Sequence, residues 1–249
     1  LSARGKASLL DLYDTERLKD VQKGDRKGGL TAFSVGDADT AVRSKLQGTR
    51  KVRVLTGPML GDASHRLMKE FTAQTGAEHV EFDMLALDDV MEGQQEAYGQ
   101  AVLPLYHFER ADVIVSLGGD FLGSWPFAVE SNRLFIQNRR LSGQSTRQAQ
   151  MSELYTFEST LTLTGSNSDQ RFGVRAGDEL RVGLAIAHEL IVNRKQSRYA
   201  ADSAVTSALS GYKAESIAAE IGFDVKVIRD LATKLWSARG QSLVVGGGV

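Results

Sequence analysis

Residues 111–124, ADVIVSLGGDFLGS, decide how the rest of the chain folds. The run Val113–Leu117 is almost continuously apolar and passes directly into Gly118, Gly119 and Asp120. A continuous apolar run bounded by glycines predicts a strand that is buried on both faces of a parallel sheet. Open α/β sheets bind ligands in a crevice at the carboxyl ends of their strands. The stretch therefore predicts either an anion site at the start of the next helix or a tight turn without a ligand.

Strands and helices alternate on both sides of this stretch, which predicts βαβ units and a mainly parallel sheet with Rossmann-like lobes. Further strands are predicted at Lys51–Gly57, Ala77–Leu85, Met151–Glu158 and 242–249. Helices are predicted at Asp37–Leu46, Gly61–Thr75, Asp88–Tyr98, Phe127–Arg140, Asp178–Val192 and Asp224–Ala238, with one or two short ones in Ser203–Gly222. Because right-handed crossovers place all carboxyl ends on one side, we expect the strand ends at Gly57, Gly118 and Gly246 to lie side by side in one sheet.

Two segments are predicted to be loops. Lys19–Gly29 is charged and contains glycines, which is typical of a solvated loop. Ser159–Gly177 is long and rich in Thr and Ser. Because it has few apolar side chains to offset the cost of ordering its backbone, we expect it to be mobile in the absence of a ligand or partner. A compact loop sealed by its own four apolar side chains is the alternative.

The chain has 249 residues, enough for one large α/β domain or for two lobes. The polar stretch 142–150, SGQSTRQAQ, predicts a hinge between lobes 1–141 and 151–249. The last residues, SLVVGGGV, form a strand that runs into a glycine loop. We therefore expect 1–249 to be part of a longer polypeptide that continues after this loop.

Composition excludes several classes of function. Lys and Arg number 30 against 31 Asp and Glu, so no global positive field attracts nucleic acid. The absence of cysteine excludes disulfides and thiolate ligation of metals or iron–sulfur clusters within these residues. No apolar run approaches the roughly 20 residues that a membrane helix needs. Neither nucleic-acid binding nor direct membrane insertion is expected.

No catalytic set emerges from the motifs. Gly118–Ser124 has the glycine spacing of a phosphate-binding loop but lacks the lysine that would reach the phosphates, so nucleotide hydrolysis is not expected. The four histidines have no metal-ligand spacing. Residue chemistry alone therefore predicts a crevice that can hold a phosphate-bearing ligand, with no catalytic residue and no metal ligand.

Several stretches, taken in order, resemble the molybdopterin oxidoreductases. They include LLDLYDTER (9–17), YGQAVLPLYHFERADV (98–113) and ADVIVSLGGDFLGS (111–124). MSELYTFESTLTLTGSNSDQRFGVRAGDE (151–179) and GYKAESIAAEIGFDVKVIRDLATKLWSARGQSLVVGGG (211–248) complete the set. The resemblance is strongest to the molybdopterin-binding-like subunits of alternative complex III and of the menaquinone reductase complex. It covers about Leu9 to Val249.

This resemblance implies that the chain is part of a larger α/β fold built around a bis-pterin cofactor at strand ends. By position, the candidate residues facing the nucleotide part of that cofactor, or lining a vestige of its crevice, are Gly57, Gly118, Gly119, Asp120, Glu158, Ser159, Gly177 and Asp178. If the family cofactor were retained, it would be molybdopterin guanine dinucleotide.

The departures from the family pattern point to loss of the cofactor. Phe82–Glu96, where catalytic members carry the metal ligand, has no cysteine or serine, only acids such as Asp83 and Asp88. The N-terminal cysteine cluster of many members is also absent. The resemblance then implies a non-catalytic domain without a metal or cofactor, part of a membrane-bound quinone/quinol electron-transfer complex of the respiratory chain.

The same resemblance implies partners and a location. The partners would be other subunits of that complex and an iron–sulfur domain of the same polypeptide outside these residues, on the periplasmic side of the cytoplasmic membrane. Two alternatives stay open: part of an active molybdenum bis-pterin enzyme with an aspartate ligand, and an unrelated nucleotide- or small-molecule-binding domain.

Overall fold

A computed structural model describes residues 3–25, 27–48, 51–59, 61–83, 87–141 and 151–247. The chain divides into two compact units, Leu1–Ala86 and Leu87–Val249. The predicted hinge, 142–150, lies outside the described residues, and the division into lobes at that point stays a prediction.

In its described residues the first unit contains three α-helices, one 3-10 helix and two small sheets. Its elements are α1 (Ala3–Ala7), a 3-10 helix (Ser8–Tyr13), β1 (Gln22–Gly24), β2 (Leu30–Ala32), α2 (Val35–Gly48), β3 (Arg53–Thr56), α3 (Asp62–Thr75) and β4 (Glu78–Glu81). Strands β1 and β2 pair antiparallel, and β3 and β4 pair in parallel. The helices predicted at Asp37–Leu46 and Gly61–Thr75 are confirmed.

Two predictions for this unit are wrong. Lys19–Gly29 is not a loop throughout, because Gln22–Gly24 forms β1 and pairs with β2. The Asp25 carboxylate accepts the N–H of Lys27 at 2.7 Å in the turn that joins the two strands. Gly57 does not end a strand of the main sheet, because β3 pairs with β4 in a separate two-stranded sheet. A glycine after an apolar run marks the end of a strand but does not identify the sheet that contains it.

The second unit contains the main sheet. Its elements are α4 (Asp88–Tyr98), a 3-10 helix (Phe108–Arg110), β5 (Val113–Leu117), α5 (Ala128–Gln137), β6 (Glu153–Glu158), α6 (Leu163–Ser166), β7 (Gln170–Gly173), α7 (Asp178–His188), a π turn (Glu189–Asn193), a 3-10 helix (Arg198–Ala201), α8 (Ser203–Leu209), α9 (Ala214–Ile221), α10 (Val225–Ser237) and β8 (Ser242–Gly246).

The main sheet has the order β7-β6-β5-β8, and all neighbouring pairs are parallel. In this register Leu117 at the end of β5 lies between Phe157 on β6 and Gly246 on β8. The predicted adjacency of the strand ends at Gly118 and Gly246 is thereby confirmed. From β5 the chain adds β6 and β7 on one side and returns to add β8 on the other. The strand order therefore reverses between β5 and β8, where open α/β sheets form their ligand crevices.

Apolar side chains from both faces of β5 and β6 enter separate cores. On one face Val113, Val115 and Phe157 pack with residues of α7, α9 and α10. On the other face Ile114 and Leu154 pack with Leu134 and Phe135 of α5 and with aromatic and aliphatic residues that precede α5. Successive residues of a strand point to opposite faces, so a strand covered on both sides is apolar at most positions. The one polar residue of β5, Ser116, is buried and donates its hydroxyl to the carbonyl of Gly119. The burial of both faces confirms the prediction made from 111–124.

An ion pair joins Arg139, which follows α5, to Asp169, which precedes β7. Asp169 accepts hydrogen bonds from Arg139 Nη1 at 2.8 Å and Nη2 at 2.9 Å, and from the backbone N–H of Leu154 at 2.7 Å. The bonds from Arg139 lower the pKa of the Asp169 carboxyl from its ordinary value of 3.8, against the opposing effect of burial. Because this pKa is lower in the folded state, the pair stabilises the fold above the unfolded-state pKa and loses its effect as the pH falls through the folded-state value.

We expect Asp169→Asn to lower the free energy of unfolding at neutral pH by about 1 kcal/mol, a value discounted because the side chain is partly exposed. The variant should also lose less stability than the wild type between about pH 5 and pH 2, since it lacks this titrating group. Urea unfolding across that pH range measures both effects. Asp230→Asn, which breaks the exposed Lys226–Asp230 pair within α10, is the matched control and should change the free energy of unfolding at neutral pH by less than about 0.5 kcal/mol. Parallel acid profiles for Asp169→Asn and the wild type would contradict the prediction.

Candidate functional site

A polar crevice of about 490 Å³ opens at the carboxyl ends of β5, β6 and β8. Its walls come from the turns that follow these strands and from the first turn of α7. The residues that line it are Leu117, Gly118, Asp120, Ser124, Glu158, Ser159, Thr160, Thr162, Gly177, Glu179, Leu180, Gly246 and Gly247. The crevice therefore lies at the point where the strand order reverses.

Asp120 ties the turn after β5 to helix α6. Its Oδ1 accepts the backbone N–H of Thr164 at 2.9 Å and the Thr164 hydroxyl at 2.8 Å, and its Oδ2 accepts the N–H of Ser124 at 3.0 Å. The Thr164 hydroxyl in turn accepts the N–H of Leu122 at 3.0 Å. Oδ1 of Asp120 therefore joins the turn after β5 to α6, whereas Oδ2 stabilises that turn itself.

Glu158 plays a similar part at the end of β6. It is 3% exposed, and its Oε2 accepts the Thr162 hydroxyl at 2.6 Å. Its Oε1 accepts from Arg171 Nε at 2.5 Å, so the negative charge is paired within the protein. Gly165 lies directly against this carboxylate, because a Cβ added there would be 1.9 Å from Oε1. The carboxylate thus organises the loop that follows β6.

These contacts change the expectation for Ser159–Gly177. The segment contains α6 and β7, and β7 pairs with β6 from Tyr155↔Gln170 to Glu158↔Gly173. The sequence predicts a mobile segment because it has few apolar side chains to offset the cost of ordering its backbone. Polar contacts hold it in the structure: Thr164 donates to Asp120, Thr162 donates to Glu158, and Arg171 pairs with Glu158.

The first turn of α7 forms the wall opposite α6. Gly177, at the N-cap of α7, has φ +92°, a left-handed conformation that favours glycine. Its backbone N–H donates to Glu179 Oε2 at 2.6 Å. The Glu179 side chain also reaches the end of β5, because its Cγ lies 3.6 Å from where a Cβ on Gly118 would be. One carboxylate side chain thus spans the space between α7 and β5.

The structure brings five of the eight predicted site residues to the crevice: Gly118, Asp120, Glu158, Ser159 and Gly177. Gly119 instead packs against Trp125, and its carbonyl accepts the hydroxyl of Ser116. Asp178 accepts a hydrogen bond from Arg181 within α7, and Gly57 follows β3 in the first unit. Whether any of the eight contacts a cofactor stays a prediction.

Several lining residues were missed in the sequence. Thr160 and Thr162 lie in the Thr- and Ser-rich segment that is predicted to be a loop, and Glu179 lies in the predicted helix Asp178–Val192. Gly246 is predicted to end a strand beside Gly118, but neither Gly246 nor Gly247 is among the predicted site residues. The sequence does contain a signal for these two glycines, because they stand at the end of a strand that, like β5, runs into glycines.

The donor set of the crevice does not fit a diphosphate-bearing cofactor. None of the described residues that line it is Lys, Arg or His, and three are carboxylates: Asp120, Glu158 and Glu179. Phosphate sites in proteins supply positive charge or backbone N–H groups. Here the N–H of Gly177 is already bonded to Glu179.

In the part of the chain that the structure describes, no three His, Asp or Glu side chains lie close enough together to hold a metal ion. None of the helices described is both long enough and apolar enough to cross a membrane.

Comparison with known proteins supports the resemblance derived from the sequence. No family model matches the chain. A protein of Nitratidesulfovibrio vulgaris named menaquinone reductase, molybdopterin-binding-like subunit, is 26% identical over 141 residues, which are 57% of this chain and 20% of that protein. The matched region is therefore a small part of the relative's length.

Among solved structures, acetylene hydratase from Pelobacter acetylenicus is similar, with a TM-score of 0.65 and 11% sequence identity. The match covers 98% of this chain and 34% of that chain. The chain thus has a mixed α/β fold with a parallel sheet, similar to that of a molybdopterin oxidoreductase. The predicted fold class and the resemblance to this group of proteins are confirmed.

Proposed function

We propose that this chain is a non-catalytic, molybdopterin-oxidoreductase-like domain of a membrane-associated complex that transfers electrons to or from a quinone. The observation that carries the proposal is the similarity over 141 residues to a subunit of menaquinone reductase. The proposed role is structural: the domain holds neighbouring redox-active parts of the assembly in place.

The residues of the chain support a non-catalytic role. There is no cysteine, and Phe82–Glu96 offers neither cysteine nor serine as a metal ligand. In the crevice, Asp120 and Glu158 are fully engaged in holding loops together. Carboxylates used in this way support the shape of the domain and are not held ready for proton transfer.

The proposed partners are other subunits of the complex and an iron–sulfur domain in the same polypeptide, on the periplasmic side of the membrane. The size of the relative supports this, since the match spans a fifth of it. Exposed apolar side chains support contact with partner proteins: Leu10 is 68% exposed and Tyr13 is 80% exposed, and both lie on the same short 3-10 helix. Exposed apolar clusters of this kind are typical of protein–protein contact surfaces.

Purification of the native assembly tests the proposal. The gene in its own host is given an affinity tag, and membranes are solubilised in mild detergent before capture. We expect the tagged protein to elute in a complex that shows iron–sulfur signals by electron paramagnetic resonance and reduces a menaquinone analogue. Deletion of the gene should abolish this activity in membranes. A tagged protein that elutes alone, with quinone reduction unaffected by the deletion, would contradict the proposal.

The metal content of the purified protein is a second test. We expect less than about 0.1 molybdenum or tungsten per chain in protein made in a host that assembles bis-pterin cofactors, because the chain lacks a thiolate or serine ligand. Mass spectrometry of the metals measures this, with a bis-pterin enzyme from the same host as the positive control. About one metal per chain would favour the alternative, an active molybdenum enzyme.

A further inference from the structure

We infer that Glu179 occupies the anion-binding end of helix α7 and thereby excludes diphosphate-bearing ligands from the crevice. This inference rests on the proposed function and deepens it, because it identifies a physical reason why a domain of this fold would work without a nucleotide-bearing cofactor. Three observations carry it: a hydrogen bond, a steric contact and the charge of the crevice.

The hydrogen bond occupies one of the backbone donors that an anion would use. The first N–H groups of a helix have no partner within the helix, and the helix dipole favours negative charge there. In α7 the N–H of Gly177 at the N-cap donates to Glu179 Oε2 at 2.6 Å. A carboxylate of the chain itself therefore takes the position that a phosphate oxygen would take.

The steric contact shows that the side chain also fills the space in front of this donor. Glu179 Cγ lies 3.6 Å, and its Cδ 3.9 Å, from the position that a Cβ on Gly118 would occupy. The side chain thus extends from α7 to the turn after β5. A diphosphate that approached both backbone elements would have to displace it.

The charge of the crevice opposes a polyanion as well. In the described residues neither Asp120 nor Glu179 forms an ion pair, so both carboxylates contribute their negative charge to the crevice. Glu158 is neutralised by Arg171, and that pairing commits the guanidinium to the protein. The negative charges of these carboxylates repel a polyanionic ligand, and the repulsion is strong where water is partly excluded.

The experiment measures binding of inorganic diphosphate and of guanosine diphosphate by isothermal titration calorimetry at low ionic strength, where charge effects are least screened. Glu179→Gln removes the charge and keeps the length of the side chain, whereas Glu179→Ser also opens the space. Glu96→Gln on α4, outside the crevice lining, is the charge-matched control. Circular dichroism verifies that each variant is folded.

We expect the Kd of either probe to lie above about 1 mM for the wild type and for Glu96→Gln. Glu179→Ser should bind diphosphate at least about tenfold more tightly than this limit, and Glu179→Gln should lie between the limit and Glu179→Ser. Binding by the wild type as tight as by the variants would overturn the inference, and so would folded variants that gain no affinity. Either result leaves the proposed function standing, because metal content and co-purification test that function separately.

Discussion

Replacement of Gly165 by alanine should lower the free energy of unfolding by about 3 kcal/mol, among the largest effects of any single methyl group added to this chain. The new Cβ would lie 1.9 Å from Glu158 Oε1 and 2.5 Å from its Cδ. Glu158 cannot move aside without breaking its bonds to Thr162 and Arg171. Either the buried ion pair or the turn that carries α6 must therefore be disrupted. Urea unfolding followed by circular dichroism measures the loss.

Gly93→Ala provides the control for this substitution. Gly93 lies inside helix α4, and no atom lies within 4 Å of the Cβ that alanine would add. Alanine has a higher helix propensity than glycine, so this variant should gain about 0.5–1 kcal/mol. Equal stability of the two variants would show that Glu158 does not constrain Gly165.

Truncation of Leu154 to alanine should cost about 3–4 kcal/mol, because it removes a side chain that is completely buried. Leu154 lies on β6 and packs in the core that also contains Ile114 and Phe135. Neighbouring strands on both sides limit how far the cavity can collapse. Leu161→Ala, at a position 68% exposed in the loop after β6, is the matched control and should change stability by less than about 0.5 kcal/mol. A loss below about 1 kcal/mol for Leu154→Ala would mean that this core is loosely packed.

The elements that were predicted correctly are those whose signal is local. Val113–Leu117 is an almost continuous apolar run, Glu153–Glu158 has apolar side chains at Leu154, Tyr155 and Phe157, and Val225–Ser237 has an apolar stripe at helical spacing. Such patterns arise from burial of one or both faces, so the sequence itself contains them. Their order along the chain was also sufficient to predict a parallel sheet.

The order of Ser159–Gly177 could not be predicted in this way. It depends on hydrogen bonds from Thr164 to Asp120, which are 44 residues apart, and on the pairing of β7 with β6. These partners become visible only when the chain is folded. The helix start at Asp178 is predicted correctly, but Glu179 and not Asp178 lines the crevice. Asp178 and Glu179 are neighbours, and consecutive residues of a helix point about 100° apart, so only the rotation of α7 about its axis selects Glu179 for the crevice.

The position of β8 beside β5 has a consequence for the order of folding. The indole N–H of Trp125, just after β5, donates to the carbonyl of Gly247, 122 residues further along the chain. Closing so long a loop is entropically costly and slow, and contacts of high sequence separation form late. During synthesis β5 and β6 can pair first, and the other edge of β5 stays unpaired until β8 has been made. We therefore expect the wall formed by Gly246 and Gly247 to be the last part of the crevice to assemble, and its amide protons to be protected latest in pulsed hydrogen exchange during refolding.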